Sequence, residues 1–213
     1  MGAWPEPGFV SVDRYPVPAR RHRVEQIIDR SRFVATIERA PSPCEARATV
    51  RAIEAEFPDA THHALAFVAG APGTTTHIGM SDAGEPHGTA GRPMLTVLLH
   101  SGIGEIVAVC SRWYGGTKLG TGGLARAYGG TVQEALADLP TVERVELVAR
   151  TVIITYPHVT VAQQLMAAHA CTIDAQDFGA EVRFDLHVPV SQATAFDSSI
   201  QNATHGSARV IIP

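Results

Sequence analysis

Ala180-Glu181-Val182-Arg183-Phe184-Asp185-Leu186-His187-Val188 alternates apolar and polar residues without a break. Successive side chains of a strand point to opposite faces, so the run predicts a half-buried strand with Ala180, Val182, Phe184, Leu186 and Val188 inward. Upstream, residues 177–179 supply a turn, 171–176 a strand, 158–168 a short amphipathic helix and 146–156 a β-rich run. Downstream, 191–203 is a helix, His205-Gly206 its stop and 208–212 a last strand. The order is βαββαβ, the split-βαβ or ferredoxin-like pattern.

Residues 140–142 read as a linker, and the chain before them has a different character. Residues 1–20 carry Pro5, Pro7, Pro16 and Pro18 and are expected to be an irregular arm. The expected domains are therefore 21–139 and 143–213. Within the first, 25–39 reads as strand or hairpin. Ser42-Pro43-Cys44-Glu45 is a helix start, with Ser at the N-cap, Pro next and Glu three residues after the cap. Ala46, Val50, Ile53 and Phe57 follow at helical spacing before Pro58. Residues 62–69 and 74–80 read as strands, 89–101 as a helix, and 106–110 as a compact apolar strand. A long helix runs from near Thr121 to about Leu139 with Leu124, Tyr128, Val132, Ala135 and Leu136 as its stripe. Gly129 and Gly130 cost that helix roughly 1 kcal/mol each relative to Ala, which close packing on a sheet would explain.

The 213 residues have the composition of an ordinary globular protein and a net charge of −4, which argues against a strongly basic nucleic-acid binder. The part before Pro140 holds 13 basic and 14 acidic residues, and the part after it 4 and 7, so the first part is better placed to meet an anion. The three cysteines are scattered, with no disulfide framework or CxxC motif, which fits a reducing, cytoplasmic setting. Cys44 and Cys110 fall on apolar faces and are expected to be buried. No apolar run reaches the ~18 residues of a membrane span.

Two polar, glycine-studded runs interrupt the first domain. One is Ser81-Asp82-Ala83-Gly84-Glu85-Pro86-His87-Gly88-Thr89-Ala90-Gly91-Arg92-Pro93. The other is Arg112-Trp113-Tyr114-Gly115-Gly116-Thr117-Lys118-Leu119-Gly120-Thr121-Gly122-Gly123-Leu124, which contains the only lysine of the chain. A glycine loop entering a helix offers unpaired N–H groups and a partial positive charge to phosphate or carboxylate. The candidate anion- or RNA-binding set is Arg112, Gly115, Gly116, Lys118, Gly120, Thr121, Gly122, Gly123 and Arg126. Arg112 is read as a bidentate phosphate ligand, and Trp113 and Tyr114 as stacking platforms. The bland alternative is a tight strand-to-helix turn with both aromatics packed inside. Thr121 stands where a Walker A loop needs Lys, so a P-loop is rejected, and the GxGxxA match at Gly120–Ala125 is a weak signal.

Asp82, Glu85, His87 and Arg92 form a possible second loop. Asp82 and Glu85 can act in acid–base chemistry or simply hold the loop through backbone N–H groups. Arg92 can pair with one of those carboxylates or face solvent. The spacing of these residues matches no metal-ligand pattern, so no metal and no cofactor are expected, and no catalytic residue is assigned.

These two runs resemble the signature of the IMPACT, or YigZ-like, family: Ser81-Asp82, Gly84-Glu85-Pro86, Gly88-Thr89-Ala90-Gly91, Arg112, Tyr114-Gly115-Gly116, Lys118 to Leu124, and Arg126-Ala127-Tyr128, with Ser31-Arg32-Phe33 and His62 upstream. Ala83 and His87 stand where Asp and Ser are common, which weakens a metal site further. The resemblance implies an α+β chain of two domains. The first would be like domain 2 of ribosomal protein S5 and domain IV of elongation factor G. The second would be ferredoxin-like, as in domain V of that factor. It also implies a link to translational control, known for eukaryotic members through a starvation-sensing kinase. The resulting expectation is a non-enzymatic protein that contacts RNA or the ribosome through the cationic glycine loop, with no membrane association. Two alternatives stay open: an enzyme acting on a phosphorylated small molecule at the same loop, and a protein-interaction module regulating another factor.

Overall fold

A computed structural model describes residues 14–213, and most of the expected arm, residues 1–13, lies outside the described residues. The chain divides into two units, Tyr15–Arg144 and, together with Arg14, Val145–Pro213. In chain order the first contains β1 (Arg14–Pro18), β2 (His22–Ile28), β3 (Ser31–Arg39), α1 (Pro43–Glu56), β4 (His62–Val68), β5 (Ile78–Ser81), α2 (Gly91–His100), β6 (Ile106–Trp113), α3 (Gly120–Ala137) and β7 (Thr141–Val145). Five of these strands make an antiparallel sheet in the order β2-β3-β6-β4-β5, and β1 pairs with β7.

Strand β6 lies at the centre of the five-stranded sheet, and its side chains alternate between two cores. Ile106, Ala108 and Cys110 join Phe33, Ala35, Ile37, Ala64 and Ala66 beneath α2 and α3, against Met94, Leu98, Leu124, Tyr128 and Val132. Val107 and Val109 face the other way, toward Ile53 and Ala46 of α1 and Phe67 of β4. Burial on both faces is why this stretch is continuously apolar where a half-exposed strand would alternate. Helix α1 starts as its sequence demands: Ser42 Oγ accepts from the Glu45 N–H at 3.2 Å and donates to the Glu45 carboxylate at 2.9 Å.

The second unit contains β8 (Leu147–Ile154), α4 (Val159–Ala168), β9 (Thr172–Phe178), β10 (Val182–Pro189), α5 (Val190–Ala203) and β11 (Arg209–Ile211). The sheet order β11-β8-β10-β9 with antiparallel neighbours is ferredoxin-like. Val182, Phe184, Leu186 and Val188 of β10 face Ala162 and Met166 of α4 and Ala193, Phe196 and Ile200 of α5. At roughly 1.5–3 kcal/mol per buried large apolar side chain, this one face supplies most of the unit's cohesion.

Several boundaries differ from the sequence reading. Residues 14–18 of the expected arm form β1, and 141–142 of the expected linker lie in β7, because each strand supplies the other's hydrogen-bond partners. Of the strand expected over 74–80 only 78–80 is extended, and it continues through Ser81. Strand β6 runs on through Arg112 and Trp113, whose polarity predicted a loop; Arg112 pairs in register with Phe33 and His62 on either side. Asp177 and Phe178 extend β9 by pairing with Arg183 and Val182, so Ala180 is exposed in the turn and faces no core. Cys44 is exposed in the first turn of α1, while Cys110 is buried. Gly129 packs on Pro93 and Val97 of α2 and not on the sheet, and Gly130 faces open space.

Glu105 ties the first unit together. Its carboxylate accepts from Tyr15 Oη at 3.1 Å, Arg39 Nε at 2.7 Å and Arg144 Nε at 3.0 Å. Burial opposes its charge, but the hydrogen bonds from Arg39 and Arg144 outweigh it and hold the carboxyl below its usual range. A lowered native pKa contributes stability that is present above the ordinary Glu value of about 4.3 and lost as pH falls through the native value. Glu105→Gln is thus expected to cost about 1.5–3 kcal/mol at neutral pH. The difference from wild type should shrink in acid, as urea melts across a pH series would show.

A candidate anion-binding cleft

The two glycine-studded runs meet at a buried ion pair. Glu85 Oε1 accepts from Arg112 Nη1 and from Tyr128 Oη, both at 2.7 Å. Arg112 Nη2 donates to Ser31 Oγ at 3.2 Å, and Ser31 Oγ also accepts the Gly115 N–H at 3.3 Å. The side chains of Arg112 and Glu85 are 6% and 3% exposed. His62 donates from Nδ1 to the Ala83 carbonyl at 2.8 Å, which leaves its Nε2 4.0 Å from Glu85. Burial, reinforced by neighbouring charge, raises the Tyr128 hydroxyl well above its usual pKa, so it remains a protonated donor to Glu85. Burial, and then the charge of Glu85, likewise raises the Cys110 thiol, which is inert as a nucleophile.

Asp82 holds the first run. Its carboxylate accepts the N–H groups of Gly88 at 2.8 Å, Ala90 at 3.0 Å and Gly91 at 2.8 Å, and so caps α2, whose Ala90 N-cap has no side chain to do so. Burial opposes its charge, yet these bonds outweigh it and hold the carboxyl below its ordinary range. Glu85 does not bond loop N–H groups; it is the partner of Arg112 and Tyr128. Arg92 therefore pairs with neither carboxylate in this network and faces solvent, as does His87.

The second run separates into parts. Gly115 packs so tightly on the β2–β3 turn that a Cβ would lie 1.9 Å from the Arg30 carbonyl oxygen. Gly116 and Gly120 have φ of +86° and +70°, a region that glycine enters freely. Gly122 and Gly123 have ordinary helical backbone in the first turn of α3. Arg112, expected to grip phosphate with both arms, spends them on Glu85 and Ser31. Trp113 packs edge-on against Phe57, lies under Arg32 and donates to Asp59 at 2.9 Å, so it is a structural residue. Tyr114 is 47% exposed.

Between these parts lies a cleft of about 350 Å³, lined by Glu85, Pro86, Arg112, Tyr114, Lys118, Leu119, Gly120, Thr121 and Leu124. It thus brings together Arg112, Lys118, Gly120 and Thr121 of the expected set. Gly115, Gly116, Gly122, Gly123 and Arg126 support or flank it, with Arg126 folded back beside Gly122 on the α3 surface. The N-terminus of α3 has no side-chain cap and no acidic residue in its first turn. Its first N–H groups have no side-chain acceptor, and the helix start carries a partial positive charge. Arg112 Nε is a buried donor with no partner among the described residues. Among the described residues, no group of three or more His, Cys, Asp or Glu side chains is arranged to hold a metal, and no helix is long and apolar enough to cross a membrane. Sequence reasoning quoted Tyr128 and Ser31 in the family signature but did not place them in the site; a tyrosine within an apolar stripe is a further signal that a buried acceptor faces it.

Residues 29–136 match the Impact N-terminal domain, and residues 152–207 match the domain of unknown function DUF1949. The IMPACT family member YigZ of Escherichia coli (strain K12) is 38% identical over 200 residues, which cover 94% of this chain and 98% of that protein. An IMPACT family member of Haemophilus influenzae is 39% identical over 192 residues, covering 90% and 93%. A solved structure described as the crystal structure of an hypothetical protein superposes with a TM-score of 0.68 at 38% identity, over 94% of this chain and 97% of that one. The fold is thus a two-part α+β architecture with a ferredoxin-like second part. The chain belongs to the IMPACT family.

Two outcomes test the construction of the site. Arg112→Met should cost about 3–5 kcal/mol by leaving Glu85 buried and uncompensated, and adding Glu85→Gln should recover part of it, as a double-mutant cycle by urea denaturation would show. Gly115→Ala should lower stability by at least about 1–3 kcal/mol, because the clash is with backbone that cannot rotate away. A wild-type melting curve for Gly115→Ala would refute the close approach.

Proposed function

We propose that this IMPACT-family protein is a translation-associated factor that contacts the phosphates of RNA or of the ribosome, without catalysing a reaction. The observation that carries the reading is the uncapped N-terminus of the 18-residue helix α3, opening into a cleft with Lys118 beside it and the buried Arg112 behind it. A long helix leaves four N–H groups free at its start, and an anion satisfies them with favourable charge. No carboxylate in the first turn of α3 competes for that role. Glu85, the acid in the cleft, is already paired with Arg112, so it does not repel an incoming phosphate as a lone carboxylate would. The translation-associated part of the proposal rests on the family's link to translational control.

Lys118→Ala should weaken RNA binding similarly for all sequences and reduce the slope of log affinity against log salt by about one unit. Lys118 is exposed, so melting should change little. Co-sedimentation with ribosomes across a salt series makes the same comparison on the natural assembly. Unchanged binding by Lys118→Ala in both assays would overturn the proposal. The small size and partial enclosure of the cleft favour one second reading, a phosphorylated small molecule held at the same α3 N-terminus. A phosphorylated metabolite that stabilises the wild type but not Lys118→Ala, in a protein that does not bind RNA, would put that reading first.

A further inference from the structure

We infer that the cleft admits one unpaired nucleotide, so that the RNA bound there is single-stranded and its base stacks on Tyr114. This rests on the phosphate-contacting reading above and adds the class of RNA. The cleft has two chemically different sides. Lys118 and the Gly120–Thr121 start of α3 offer charge and N–H groups, while Pro86, Leu119, Leu124 and the Tyr114 ring offer apolar surface. A bare phosphate would use only the first side. A nucleotide uses both, with its phosphate on the helix start and the flat face of its base on the apolar side. At about 350 Å³, the cleft lies at the low end of the roughly 300–1,000 Å³ range of small-ligand pockets, which suits one nucleotide.

Tyr114 is held for this task. Its backbone N–H donates to Thr61 Oγ1 at 3.2 Å, and the guanidinium carbon of Arg112 lies 5.5 Å from its ring centre. Arg112 is itself fixed by Glu85 and Ser31, so the ring rests on an immobile cation. Despite these anchors Tyr114 remains 47% exposed, in a unit whose other large aromatics at the site, Phe33 and Tyr128, are fully buried. In a duplex the base faces are stacked on their neighbours, and only an unpaired base can give its face to an aromatic side chain.

The test measures fluorescence anisotropy of labelled oligouridine and of a duplex RNA of equal length, with the full chain and its Tyr114→Ala, Tyr114→Phe and Lys118→Ala variants. The wild type should prefer the single strand by at least about fivefold, the lower end of the effect of stacking one base. Tyr114→Ala should remove most of that preference and leave duplex binding unchanged, and Tyr114→Phe should retain it. Lys118→Ala should weaken both RNAs. Equal binding of single strand and duplex by the wild type, or an unchanged preference in Tyr114→Ala, overturns this inference while leaving the phosphate reading intact if Lys118→Ala still weakens binding. Uridine monophosphate competing as strongly as the oligomer identifies a free nucleotide as the occupant and also overturns it. Insensitivity of RNA binding to Lys118→Ala instead removes the phosphate reading on which the inference stands.

Discussion

The ion pair between Glu85 and Arg112 is the constraint around which the first unit is organised. Two charges taken out of water cost several kcal/mol each unless geometry and further hydrogen bonds compensate them. Here Tyr128 and Ser31 provide those bonds, so one buried pair draws together the loop before α2, the end of β6, the middle of α3 and the start of β3. An apolar core could have held these elements with equal strength. The charged pair adds a requirement of register, because a shift of β6 by one residue would turn Arg112 to the other face and leave Glu85 alone.

From that pair follow the properties of the cleft. Arg112 is fixed and its charge is offset by Glu85, so the uncompensated positive charge of the cleft lies with the exposed Lys118 and the start of α3. Tyr114 lies against the fixed guanidinium and remains exposed. Asp82 satisfies the start of α2 with its own carboxylate, whereas the start of α3 has no such cap. Two helices of the same layer thus begin in opposite ways, one closed by a side chain of the loop before it and one without a side-chain cap. That contrast is the strongest structural reason to place a ligand at the second.

The ferredoxin-like unit shows how much a regular pattern can carry. The alternation from Val182 to Val188 determines which face of β10 is buried, and the two helical segments on either side of the hairpin can cover only that face. The first unit was less legible. Its central strand is buried on both sides and has no alternation, and its polar end, Ser111 and Arg112, looks like a loop until the partners of those residues are known. Gly115 reads the same as Gly122 in the sequence, although one is pressed against the Arg30 carbonyl and the other is an ordinary turn of helix.

The sequence by itself determined the family, the order of elements in the second unit, most of those in the first, the Ser42 helix start and the place of the two glycine-studded runs between strand and helix. These are local matters: periodicity, capping chemistry and the rarity of the motif can all be read along the chain. Only the tertiary structure decided that Glu85 pairs with Arg112 and not Arg92, that Asp82 caps α2, that Trp113 is packed while Tyr114 stays half exposed, and that Arg126 lies outside the cleft. The Arg112 contacts join residues 27 and 81 positions apart, and even the shorter Asp82 contacts depend on how the loop folds back on itself. A polar residue has the same propensity whether its partner is water or a buried carboxylate, so nothing local distinguishes the two, and packing makes the choice.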